Sequence, residues 1–265
     1  MTRHEQQRWP VALVTGASSG IGRAFAESLA ARGSDLVLVA RRRDRLEELA
    51  VRLKEVSSVA VETLVADLTD ADDLATVKDR LRDRSRPVDV LVNNAGVGGH
   101  GPFAERPLDY EDREIRLNVL APVHLTSAAL PGMIERGRGG IVNVSSVASI
   151  QPMPFVATYA ATKAYLTSFS QAVHEEVRDA GVVVVALLPG FTTSEFHDRA
   201  DMSRSAIPGP AWLTPESVAE AGLRALDRGQ AICIPGLGYR ALVTVSRHTP
   251  LPLNRAVTRM LGRRA

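Results

Sequence analysis

Tyr159 and Lys163 stand four residues apart, and Ser146 lies thirteen residues before the tyrosine. In a helix that spacing puts phenol and ammonium one turn apart on one face. A free tyrosine ionises at roughly pH 10 and is a poor proton carrier at neutral pH. An ammonium one turn away favours the phenolate and is expected to lower that value. A serine hydroxyl brought beside them could hold a substrate oxygen in line with the phenol. A Tyr-x3-Lys pair also occurs on ordinary solvated helix faces, so the rest of the chain must argue for chemistry.

The elements that would position these residues are readable. The apolar run Trp9 to Thr15 ends in Gly16-Ala17-Ser18-Ser19-Gly20-Ile21-Gly22, and Ile21 to Arg32 reads as a helix. Strand, glycine turn and helix together make a site where backbone can approach a pyrophosphate at a helix N-terminus. A second strand, Leu36 to Ala40, runs into Arg41-Arg42-Arg43. In dinucleotide sites an acidic residue here holds a ribose 2′-hydroxyl, whereas an arginine accommodates a 2′-phosphate. Arg41 is therefore expected to select NADP(H) over NAD(H), with a solvated basic run as the plain alternative. Strands are expected at Val59–Val65, Val88–Val92, Ile141–Val144, Val182–Leu188 and Ala231–Ile234. Helices are expected at 44–56, at 70–84 with Asp70 as N-cap, and from Thr158 to Ala180. Another should span 111–136, kinked or broken at Pro122 and Pro131, and one opens at Thr214-Pro215 and runs to Arg228. This alternation predicts a single α/β domain, a doubly wound parallel sheet of about seven strands with helices on both faces.

Composition agrees. The 265 residues are 45% apolar and 23% charged, ordinary for a globular protein large enough to bury a core. Cys233, the lone cysteine, excludes an intramolecular disulfide and a cysteine metal cluster, and reads as a core residue. The polar start has no signal-peptide pattern, and no run of 18 apolar residues predicts a transmembrane helix. Those features suggest a cytoplasmic protein with no nucleic-acid partner.

Taken in order, these residues resemble the short-chain dehydrogenase/reductase family over nearly the whole chain. Thr15-Gly16-x3-Gly20-x-Gly22 is similar to its cofactor motif, which implies contacts from Gly16, Ser18, Ser19, Gly20, Ile21 and Gly22. Asp67 matches an acidic residue that contacts adenine. Asn93-Asn94-Ala95-Gly96 matches a motif that steadies the sheet and lines the cofactor site through Asn94, Ala95 and Gly96. Asn118, Ser146, Tyr159 and Lys163 match the catalytic tetrad. Pro189-Gly190 matches a motif near the nicotinamide. Thr192 and Ser194 stand where many members have valine and threonine. The resemblance implies a Rossmann-type fold, hydride transfer between NADP(H) and a carbonyl or secondary alcohol, and a homodimer or homotetramer. It leaves open an NAD-dependent alcohol or hydroxysteroid dehydrogenase, and a non-catalytic NADP-binding sensor.

The catalytic domain is expected over 1–235, with 191–213 as a substrate lid. Phe103, Met153, Phe155, Phe191, Phe196 and Trp212 suggest an apolar substrate or plain packing. From Arg228 onward there are seven Arg and no Lys, Asp or Glu, so the rest carries −5 against +2 overall. The extension 236–265 reads as two short amphipathic helices about Pro250 and Pro252. The first has Tyr239, Leu242 and Val243 at i, i+3, i+4, and the second carries Arg255, Arg259 and Arg263. Such a face is solvated, touches anionic lipid as a peripheral contact, or attracts an acidic substrate carrier.

Overall fold

A computed structural model of the chain describes residues 9–195 and 209–249. Seven parallel strands form one sheet in the order β3-β2-β1-β4-β5-β6-β7. They are β1 (Val11–Thr15), β2 (Asp35–Ala40), β3 (Val61–Val65), β4 (Val90–Asn93), β5 (Gly139–Val144), β6 (Val182–Leu187) and β7 (Ile232–Cys233). The chain order reverses between β1 and β4, which opens a crevice at their C-terminal ends where such sheets bind ligands.

Alternation along each strand sends side chains to two cores. Leu13, Val37, Leu91, Ile141 and Val184 face one, with Val77, Leu125, Met133 and Val173 from helices α3 (Ala71–Arg82), α5 (Ala121–Glu135) and α6 (Ala157–Val177). Val14, Leu38, Val92, Val142 and Val185 face the other. Phe25, Leu46 and Leu223 come to that side from α1 (Gly20–Ala31), α2 (Arg43–Ser57) and α7 (Pro215–Asp227). Burying each such side chain contributes about 1.5–3 kcal/mol. Cys233 is buried there too. Asp70 accepts the backbone N–H groups of Asp72 and Asp73, and Thr214 accepts that of Ser217, so both expected caps form.

The expected helix from 111 to 136 is one continuous run with a different interruption. α4 (Leu108–Ile115) passes into a π-helical turn, Arg116–Leu120, and then into α5. Pro122 sits in the first turn of α5, directly after the π turn, and Pro131 lies inside α5 without ending it. By length and composition alone the run Leu108–Glu135 could cross a membrane, yet half of its most apolar stretch is buried inside the molecule. Its Leu125 and Met133 pack under the sheet.

The first expected amphipathic helix exists as α8 (Leu237–His248). It buries Val243 and half-buries Tyr239, while Leu242 points outward. α8 packs on the turn Val147–Ile150 that follows Ser146. The second helix, with Arg255, Arg259 and Arg263, lies outside the described residues, as do Phe196 and most of the expected lid.

Candidate active site

The glycine turn is locked to the end of β4. The Thr15 hydroxyl accepts the backbone N–H groups of Asn94 and Ala95 at 3.0 Å. The Asn94 amide donates to the Thr15 carbonyl at 2.9 Å. A Cβ at Gly22 would collide with the Gly16 carbonyl and the Asn94 amide, so both motifs need that glycine. Gly20 has φ +53°, and Ser194 lies directly over it. Ile21 packs against the core in the first turn of α1.

Ser19 caps α1 without bonding its N–H groups, so none of the first-turn donors is taken by a capping side chain. The serine hydroxyls of the turn receive an arginine instead, and it is Arg42. Its guanidinium donates to Ser18 Oγ at 3.0 Å and to Ser19 Oγ at 2.9 Å. Arg41, the residue expected to meet a 2′-phosphate, lies one residue before it at the end of β2. Arg41 is half exposed and ion-pairs with Asp67 at 3.4 Å, because the chain turns at the end of β2 and sends successive side chains opposite ways. Glu195 joins Arg42 at 2.8 Å and also pairs with Arg45, and these partners hold its carboxyl at about 2. Burial acts to raise the Asp67 carboxyl. Hydrogen bonds from Thr69 and the charges of Arg41 and Arg113 outweigh it and leave the group below its usual range. Hydroxyls, an uncapped helix start and arginines form a donor set that fits the phosphates of a dinucleotide.

Asn118, Ser146, Tyr159 and Lys163 gather across the crevice. Ser146 follows β5 and hydrogen-bonds the Tyr159 phenol, while its oxygen also accepts the Ala148 N–H at 3.1 Å. Ser145 turns the other way and holds the Lys163 carbonyl at 2.8 Å. The π turn aims Asn118 at Val97, where it exchanges two hydrogen bonds, and at the Thr162 hydroxyl, 3.2 Å away. A Cβ on Gly96 would lie 3.1 Å from Asn118 Oδ1 and 3.4 Å from Lys163 Nζ, so the backbone there passes within contact of both.

The expected depression of the phenol does not occur. Burial pushes Tyr159 up to about 12, against the pull of Ser146. Lys163 donates to the Val144 carbonyl at 2.9 Å and sits 5.7 Å from the Tyr159 ring centre, and burial pushes it down to about 8.

Beyond β6, the Pro189 carbonyl accepts the Val147 N–H at 3.0 Å, tying the Pro-Gly loop to the Ser146 segment. The Thr192 hydroxyl bonds back to the Gly190 carbonyl. Phe191 and Trp212 pack at 5.8 Å, and Phe155, at φ +68°, stacks on His100. Phe103 is exposed. Tyr239 of α8 was legible only as an apolar position. Its hydroxyl donates to the Ala211 carbonyl at 2.8 Å and accepts the Phe191 N–H at 3.0 Å, and its ring fills the space a Cβ on Gly190 would need. Glu111 and Glu114 are buried with the part-buried Arg106 near Tyr159 and Lys163, although acidic residues three apart on a helix usually mark a solvated face.

The sheet order, the glycine cradle and the gathered tetrad meet in a match to the short-chain dehydrogenase family model over residues 10–204. The chain belongs to that family. Among its relatives is the very-long-chain 3-oxoacyl-CoA reductase of Rattus norvegicus, 39% identical over 83% of this chain and 71% of the relative. A short-chain dehydrogenase from Sphingobium yanoikuyae, solved in complex with NADPH, is 40% identical over 89% of this chain and 93% of its own, with a TM-score of 0.82. The bulky-bulky ketone specific alcohol dehydrogenase from Comamonas testosteroni is 34% identical over 96% and 93%, at 0.78. This short-chain dehydrogenase is therefore an oxidoreductase of the alcohol–carbonyl class on a Rossmann-type fold, and it uses a nicotinamide dinucleotide.

Proposed function

We propose that this dehydrogenase is an NADP(H)-dependent reductase of lipophilic ketones, with Tyr159 as its acid–base group. The observation that carries the cofactor choice is Arg42 on Ser18 and Ser19, a site for a 2′-phosphate beside the turn that takes the pyrophosphate. Gly16, Gly20, Ile21, Gly22, Asp67, Asn94, Ala95 and Gly96 would line the rest of the cofactor site, with Pro189, Gly190, Thr192 and Ser194 on its nicotinamide side. The bound nicotinamide would supply hydride during reduction and accept it during oxidation. Ser146 would donate a hydrogen bond to the substrate oxygen and stabilise charge as it develops there. Tyr159 would give that oxygen its proton. Lys163 and the hydroxyls of the nicotinamide ribose would steady the phenol, and Asn118 would hold a path to solvent for proton resupply.

Support for a hydrophobic ketone comes from the Phe191–Trp212 and Phe155 walls, and from two relatives named for very long 3-oxoacyl chains and for bulky ketones. The test is a panel containing a diaryl ketone and a long-chain 3-oxoacyl-CoA with NADPH. Tyr159→Phe should abolish turnover while NADPH affinity, read by fluorescence, stays within about twofold, since the phenol lost is not a phosphate contact. Retained turnover would sink the assignment.

Leu108, Ile115 and Leu120 on the long helical run, and Tyr165 on α6, are exposed apolar residues that suit a homodimer or homotetramer, to be read by sedimentation. Peripheral membrane contact has its own support. α8 exposes Leu237, Leu242 and Val245 beside an outward Arg240. Co-sedimentation with anionic vesicles, lost on truncation at Gly236, would bear this out, whereas equal sedimentation of both forms would refute it.

A further inference from the structure

Three charged side chains meet near Tyr159 and Lys163 with hydrogen-bonding capacity unused. Glu114 is 1% exposed and Glu111 4%. Arg106, from the turn after the Gly98–Pro102 loop, pairs closely with Glu111 and reaches Glu114 at 3.9 Å. Glu114 Oε1, Glu111 Oε2 and Arg106 Nη2 are buried with no hydrogen-bond partner among the described residues. One guanidinium therefore serves two buried carboxyls. A second full negative charge there is costly, so one of the two tends to keep a proton.

The placement says which, and what it acts on. Glu111, Glu114 and Asn118 follow one stripe of the helical run. At one end of the stripe the Thr158 side chain lies close enough to Glu111 to favour its charged form. At the other end Asn118 donates to Thr162 at 3.2 Å. Thr158 and Thr162 immediately precede Tyr159 and Lys163 on α6. Glu114 thus lies between two ties to α6, near enough to Tyr159 and Lys163 for its charge to act on both. Glu111 has the closer share of Arg106 and the nearby Thr158, and Glu114 has neither. Its surroundings follow: Glu111 and Tyr110 on its own helix, Arg106 from the preceding turn, and Tyr159 and Lys163 from α6. His100, whose carbonyl accepts from Arg106, completes the loop with its ring stacked on Phe155.

We propose that Glu114 is a positioning residue that governs, through its own charge, the pH at which Tyr159 and Lys163 work. The idea rests on the acid–base role given to Tyr159 above. Burial and the charge of Glu111 raise the Glu114 carboxyl to about 7, so it changes charge near neutrality. Once ionised, it favours the protonated forms of both Tyr159 and Lys163. It keeps the phenol a proton donor as the medium becomes alkaline, which suits reduction.

The test is the pH profile of kcat/KM for reduction of a diaryl ketone with NADPH, in wild type, Glu114→Gln and Glu114→Asp. Glutamine keeps the shape and removes the charge. The alkaline limb, where Tyr159 loses its proton, should move to lower pH by about one unit in Glu114→Gln and return part-way in Glu114→Asp. An unmoved limb, or an equal loss of rate at every pH, overturns the proposal. If the variants do not fold or the ketone is not reduced, infrared titration of the wild-type chain decides. A protonated buried carboxyl band should vanish as pH rises through neutrality, and its absence also overturns the proposal. Loss of turnover in Tyr159→Phe with an unmoved limb in Glu114→Gln would remove Glu114 alone and leave the function standing.

Discussion

Arg42 and Arg41 illustrate what a single side chain decides in this enzyme. Both are flexible cations at the end of β2, and sequence indicates only that an arginine there can meet a 2′-phosphate. The backbone at the strand end decides which one faces Ser18, and no residue type reports that. Arg42→Ala should weaken NADPH binding by about ten- to a hundredfold, the range expected when a charged hydrogen-bonding partner is lost. It should leave NADH nearly untouched, whereas Arg41→Ala should shift the NADPH/NADH ratio far less. Parallel fluorescence titrations of the two cofactors read this directly, and equal effects of the two substitutions would contradict it. Tyr159 and Lys163 were legible as a pair because helix spacing puts them on one face, whereas Ser146 and Asn118 were singled out through the family resemblance. Glu114 was not, because a glutamate on an amphipathic helix looks solvated until the packing partner is known.

At the level of elements, most strands and helices follow from apolar runs and caps, as at Asp70 and Thr214. The π turn at Arg116–Leu120 does not, since no residue type in Arg-Leu-Asn-Val-Leu marks a change from α to π hydrogen bonding. Its extra residue per turn re-aims Asn118 towards Val97 and Thr162, as such bulges commonly do at functional sites. α8 is a second case, because its amphipathic pattern predicts a helix and says nothing about which face meets the pocket. Tyr239→Phe should leave the Phe191 N–H and the Ala211 carbonyl without their shared hydroxyl, costing about 1–3 kcal/mol. Substrate KM should rise while NADPH affinity holds. Steady-state kinetics beside a cofactor titration checks this, and a parallel fall in both affinities would assign Tyr239 to general stability instead.

For the whole molecule, two features set how stability responds to change. Asn93 donates to Asn143 Oδ1 at 2.8 Å and Asn143 donates to Ser170 Oγ at 2.8 Å, so β4, β5 and α6 share a buried polar chain. Asn143→Ala strands partners on both sides and should cost about 3 kcal/mol in denaturant unfolding, where an ordinary surface change costs little. The second feature is the raised Glu114 carboxyl, about 7 in the fold against 4.5 for a free side chain. Between those values the folded chain binds more protons than the unfolded one. The stability this group contributes is therefore whole below its unfolded value and is lost as pH rises through about 7. Wild type should lose melting temperature between pH 5 and pH 8 relative to Glu114→Gln, and parallel curves would contradict it.

The bridge from Tyr239 to Phe191 and Ala211 also bears on biosynthesis. A chain leaving the ribosome N-terminus first can join Thr15 to Asn94 as soon as β4 has emerged, so the nucleotide cradle is complete early. The Pro-Gly loop is tied to Val147 and Leu213 by backbone bonds, but the Phe191 N–H gains its hydroxyl partner only when α8 is made. A nascent or prematurely terminated product ending before Tyr239 would thus compete for dinucleotide while offering an unfinished wall to the ketone.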